Sequence, residues 1–111
     1  MSSQSNDYRV SSETMAELEA IVSSSDVESP LAIFKALADE RRLLIMRLLD
    51  ESELCVCDLI EVLDVDYSKL SYHLKKLKEA ELVTADREGN FVTYQPTERG
   101  ADVIDIIRRL C

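Results

Sequence analysis

The chain has 111 residues, 46% of them hydrophobic and 5% aromatic, and a net charge of −9 at pH 7. That length suits one mostly helical domain with a modest core. No apolar run approaches the roughly 20 residues a membrane span needs, and the acidic balance weighs against indiscriminate nucleic-acid binding.

Residues 1–10 are polar and Ser-rich and are expected to form a flexible tail, with residues 11–111 making up the folded domain. Residues 12–22 have helical spacing, with Met15, Leu18 and Val22 on one stripe that suits packing against a second subunit. Ser29-Pro30 reads as an N-cap followed by proline at the first helical position, opening a helix through Ile33, Phe34 and Leu37. Asp39 caps the next helix, where Leu43, Leu44, Met46, Leu48 and Leu49 are apolar nearly all round, as in a central buried helix.

Two short amphipathic helices come next. The first, residues 55–63, places Val56, Leu59, Ile60 and Leu63 on its inner face. After the turn 64–67, with Asp66 as N-cap, the second runs from Ser68 to Ala80 and buries Leu70, Leu74 and Leu77. Joined in this way they predict a helix-turn-helix. The outward face of the second helix carries Ser68, Lys69, Ser71, Tyr72, Lys75 and Lys76, the polar, basic and aromatic set that a major-groove reader needs. Four of the chain's five lysines lie within residues 66–78, against Asp66 alone, so positive charge is concentrated on this one element.

Residues 82–86 and 91–95 have strand composition, with Arg87-Glu88-Gly89-Asn90 between them, and predict a hairpin. A hairpin directly after a recognition helix is a wing, with Arg87 at its tip against the DNA backbone or minor groove. Thr97 caps a last helix whose Val103, Ile104, Ile107 and Leu110 form an apolar seam, which pairing with the first helix across a twofold axis would cover. The fold expected is thus mainly α with a small β-hairpin: a winged helix-turn-helix, homodimeric through its terminal helices.

The chemistry is concentrated in Glu53-Leu54-Cys55-Val56-Cys57-Asp58-Leu59. The N-terminus lacks the apolar run of a secretory signal, so a cytoplasmic setting with reduced thiols is expected, and metal binding or redox chemistry comes before disulfides. Thiolates select thiophilic ions such as As(III), Sb(III), Cd(II) or Pb(II). On an intact helix Cys55 and Cys57 would stand about 200° apart, so gripping one ion would require the first turn to open or distort. Cys55, near a helix N-terminus, is expected to ionise readily. Cys111 is the only other sulfur able to complete a three-thiolate site. His73, the only histidine, flanks the leucine face and suits a partly buried hydrogen-bonding role. No nucleophile with a paired base and no glycine-rich phosphate loop is present, so neither an enzyme nor an organic cofactor is expected.

From Leu31 to Tyr94 the sequence resembles the arsenic-repressor (ArsR/SmtB) family of winged-helix sensors. The resemblance rests on Leu37-Ala38-Asp39, Arg42 and Leu44, the Glu53–Leu59 string, Leu70-Ser71-Tyr72-His73-Leu74, Leu77, Leu82-Val83, Arg87, Gly89 and Tyr94. It implies a homodimeric repressor, bound to a double-stranded DNA operator, that is released when As(III) or Sb(III) binds Cys55 and Cys57. Alternatives are a Cd(II) or Pb(II) sensor and a repressor whose thiols respond to oxidation or persulfide. This chain departs from the family pattern in several places. Ile60 stands where the arsenite sensors have a third cysteine, and residues 1–54 lack the arm cysteines of the cadmium sensors. The last helix lacks the histidine of the zinc sensors, and Glu81 replaces the usual glycine after the recognition helix.

Overall fold

The computed structural model describes residues 9–111, so most of the tail expected over residues 1–10 lies outside the described residues. In chain order the elements are α1 (Ser12–Ser24), α2 (Glu28–Leu37), α3 (Glu40–Glu51), β1 (Leu54–Cys55), α4 (Val56–Leu63), α5 (Tyr67–Glu79), β2 (Val83–Glu88), β3 (Phe91–Pro96) and α6 (Glu98–Leu110). The expected winged helix-turn-helix is present: α4 and α5 are the helix pair, and β2 and β3 form the wing.

Most of the helix starts were readable from single residues. Asp39 Oδ1 accepts from the Arg41 and Arg42 amides at 2.9 and 3.2 Å, and Thr97 Oγ1 accepts from the Gly100 amide at 3.0 Å. The α2 helix corrects the expectation. It begins at Glu28, and Asp26 accepts from the Glu28 amide and the Ser29 hydroxyl at 3.0 and 3.2 Å. Pro30 therefore sits in the first turn rather than at its first position, where its missing N–H is equally harmless.

The sheet has the order β1-β3-β2, antiparallel throughout. β1, which the sequence did not suggest, pairs Leu54 with Tyr94 and Cys55 with Thr93. Arg87 also differs from expectation. It lies within β2, paired with Val92, and the turn narrows to Gly89 and Asn90, with Gly89 at φ +62°.

The core gathers Ile45, Met46, Leu59, Leu70, Leu77 and Leu82, all fully buried, each worth about 1.5–3 kcal/mol of burial. Only one face of α3 joins it, because Leu43 and Leu44 are 37% and 39% exposed. On α6, Val103, Ile104 and Ile107 are buried within their own chain, which leaves Ile106 and Leu110 outside. The expected open seam is thus mostly closed by the chain itself. No residue of α1 is buried, and Met15, Leu18, Ile21 and Val22 remain exposed.

At the end of α5 the chain reverses through Glu81, at φ +61°. The Leu82 amide donates back to the Leu77 carbonyl at 3.0 Å, closing a Schellman-type end without its customary glycine. Beside this exit, Gly100 of α6 lies so close that a Cβ there would stand 2.0 Å from the Leu82 carbonyl oxygen.

Candidate metal centre and nucleic-acid interface

Cys55 is not part of α4. It has extended backbone (φ −86°, ψ 166°), contributes its main chain to β1 and serves as the helix N-cap. The Asp58 amide donates to Cys55 Sγ at 3.4 Å, and Asp58 Oδ2 accepts from the Cys55 amide at 3.2 Å and from the Cys55 thiol at 3.1 Å. This is a reciprocal capping box with a cysteine where serine or threonine is usual.

The sulfurs of Cys55 and Cys57 and a carboxylate oxygen of Asp58 all lie within 4.8 Å of one another. The two thiols therefore stand near one another with α4 intact, because Cys55 precedes the helix in extended backbone instead of lying on it. The angular estimate failed because it treated Cys55 as helical. Two thiols and a carboxylate, with Cys55 half-buried and Cys57 and Asp58 exposed, form a donor set that fits a small thiophilic ion approaching from solvent.

The expected acidity of Cys55 is also overturned. The Cys57 thiol first, and then the Asp58 carboxylate, hold its proton in place and push its pKa above the ordinary cysteine value, although backbone amides pull the other way. Cys111 belongs to a different place. It lies at the end of α6 and lines a groove with Leu37, Leu44 and Ile107, and it is not among the clustered donors of the described residues.

A short turn, with Asp64 left-handed at φ 54°, leads from α4 to α5. Asp66 Oδ1 caps α5, accepting from the Lys69 amide at 2.8 Å and the Ser68 hydroxyl at 2.9 Å. Those same two bonds, the amide first, hold its carboxyl below the usual aspartate value. Leu70, His73, Leu74 and Leu77 face inward. Ser68, Lys69, Ser71, Tyr72 and Lys75 are exposed on the opposite side, as is Arg87 on the wing. Ser68 thus has its hydroxyl committed to the cap. Lys76 is half-buried, with Nζ 5.4 Å above the Tyr72 ring centroid and 3.9 Å from Glu79.

His73 ties α5 to α3. Arg42 Nη1 lies 3.1 Å from His73 Nδ1 while its Nε donates to the Ala36 carbonyl at 2.5 Å, and Asp39 Oδ1 is 3.8 Å from the same ring nitrogen. Burial first, with Arg42 and Arg41 adding to it, lowers the His73 pKa against the opposing pull of Asp39. Neutral imidazole accepting from Arg42 is the arrangement this favours. Two features of the interface were not anticipated. Tyr67, 66% exposed, opens α5, and Lys35 of α2 stands across a groove from Lys76. Tyr67 could have been noticed beside Asp66, whereas the place of Lys35 depends on tertiary packing.

A profile of the bacterial regulatory proteins of the arsR family matches residues 39–85. The arsenical resistance operon repressor of Bacillus subtilis (strain 168) is 52% identical over 62 residues, covering 55% of this chain and 59% of that protein. A protein of Halobacterium salinarum described as an arsenical resistance operon repressor, ArsR, is 40% identical over 88 residues, 78% of this chain and 68% of its own length. Among solved structures, the homodimeric winged helix-turn-helix DNA-binding domain of Mb0332 from Mycobacterium bovis superposes with a TM-score of 0.69 at 27% identity, covering 93% of this chain and 88% of that one.

Proposed function

The chain belongs to the arsR family of bacterial regulatory proteins, and from that premise we propose that it is a homodimeric transcriptional repressor released from its operator by As(III) or Sb(III). The observation that carries the reading is the convergence of Cys55, Cys57 and Asp58 on the N-terminus of α4, the helix that precedes and supports α5. Cys55 and Cys57 each give up a thiol proton, which leaves as water with a hydroxide of trihydroxyarsenic. Two S–As bonds thereby replace two O–As bonds, and one hydroxide remains on the arsenic.

The coupling follows from the capping box. Cys55 Sγ accepts the Asp58 amide and donates to the Asp58 carboxylate, and a sulfur bound to arsenic has no proton left to donate. Ion binding therefore competes with the cap of α4 and shifts the equilibrium toward a state in which α5 is held differently. The inducer acts through this difference in affinity between two states, without needing to contact DNA.

Ser71, Tyr72 and Lys75, with Lys69, read the major groove in this scheme, and Arg87 meets the backbone beside the wing. The exposed apolar face of α1, together with Ile106 and Leu110 of α6, supports pairing of two copies.

The test is a mobility-shift assay on the promoter of the chain's own gene, with arsenite, antimonite, cadmium and zinc added separately. Arsenite and antimonite are expected to release the wild type and to leave Cys55→Ser and Cys57→Ser bound. Release that survives both substitutions removes the site, and release by cadmium alone reassigns the ion.

A further inference from the structure

Beside the base-reading face of α5, a groove of about 410 Å³ separates α5 from α2. Three cations from three elements line it: Lys35 of α2, Arg42 of α3 and Lys76 of α5, with Glu79 the one acid on its walls. In a chain of net charge −9, such a convergence marks a place built for an anion. The three are unequally fixed. The Arg42 guanidinium is anchored by the Ala36 carbonyl and His73, which use two of its five N–H donors. Lys76 is steered by the Tyr72 ring and Glu79 toward this side of α5. Lys35, exposed in the last turn of α2, closes the far rim.

The position of the groove identifies the anion. A helix of about 10–12 Å diameter fills a major groove about 12 Å wide, so the phosphates of a bounding strand run along the flank of the helix, one side chain away from its reading face. Tyr72 forms that boundary here: its neighbours Ser71 and Lys75 are exposed on the reading face, while its ring carries Lys76 on the groove side. Resting on the DNA-binding reading above, we propose that Lys35, Arg42 and Lys76 form a phosphodiester clamp that holds one operator strand against α2 and α5. Lys76 thereby holds the backbone instead of reading bases, and Lys35 and Arg42 join the interface.

Fluorescence anisotropy of the full chain on operator and scrambled duplexes, across a salt series, tests this. Lys35→Gln and Lys76→Gln are each expected to lower the slope of log affinity against log salt by about 1 and to weaken both duplexes alike, by roughly 5–10-fold. Lys75→Gln is expected to cost discrimination between them. An unchanged slope in Lys35→Gln, or a loss confined to the operator, overturns the clamp while leaving DNA binding in place. Wild type that shows no salt-dependent retention of either duplex overturns both readings. Inorganic phosphate separates the two phosphate sources: saturable binding of phosphate to the free chain that Lys35→Gln and Lys76→Gln abolish, with duplex affinity unchanged in both variants, would mark a free-phosphate pocket and overturn the strand clamp.

Discussion

Helices α4 and α5 follow one another across a short turn, yet their N-termini are built from different chemistry. α5 starts on an aspartate, whose oxygen takes the Lys69 amide at 2.8 Å. α4 starts on a thiol, whose sulfur takes the Asp58 amide at 3.4 Å. A carboxylate is among the strongest caps and sulfur is a weak acceptor. The helix proposed to face DNA is therefore held at its start by a strong cap, while the helix that supports it is held by a sulfur, the kind of atom that a thiophilic ion prefers. The asymmetry extends to the other end of α5, where the Schellman-type exit through Glu81 lies against α6.

Substitutions can break this contrast from the α5 side. The largest effect is expected from Gly100→Ala, whose Cβ would collide with the Leu82 carbonyl. We expect a loss of about 3 kcal/mol, read as a lowered urea midpoint with weakened operator binding. Asp66→Ala removes the α5 cap and should lower the melting temperature by about 5 °C. The Asp66 carboxyl is held below its ordinary value of 3.8, so its contribution is present above that pH and lost as pH falls through the lowered folded value. Melting curves between pH 7 and pH 3 should thus converge for wild type and Asp66→Asn, and a constant gap would show that the cap does not depend on charge.

Two further substitutions sharpen the contrast. Glu81→Gly relieves a left-handed residue and should raise stability by about 0.5–1 kcal/mol, with operator affinity unchanged. Cys55→Ser replaces the weak cap by a strong one. It should raise the melting temperature by about 1–2 °C while abolishing the arsenite response. A destabilised Cys55→Ser would mean that the thiol is held by more than its cap.

Much of this arrangement was legible in the sequence because it is local. Asp39, Asp66 and Thr97 announced their helices, and the leucine spacing set the inward face of α5. What the sequence hid lies in pairings between distant segments. β1 is two residues long and exists only because β3 runs beside it, so Cys55 was assigned to a helix and the distance between the sulfurs was misjudged. Asp26, rather than Ser29, starts α2 because its side chain reaches both the Glu28 amide and the Ser29 hydroxyl. Lys35 meets Lys76 across more than forty residues of chain, a proximity that no periodicity records. The buried face of α3 was likewise indistinct, and the seam of α6 was legible in its residues but not in the elements of its own chain that cover it.

One feature of the sheet gives the thiol site a second reach. Cys55 sits opposite Thr93, as a rung of the ladder that continues through β3 into the hairpin bearing Arg87. On the proposed reading a pull on that sulfur would act along two lever arms, one running through α4 toward α5 and the other along the peptide backbone to the wing. On that reading both contacts with the operator would share a single hinge, and an ion bound there would loosen them together.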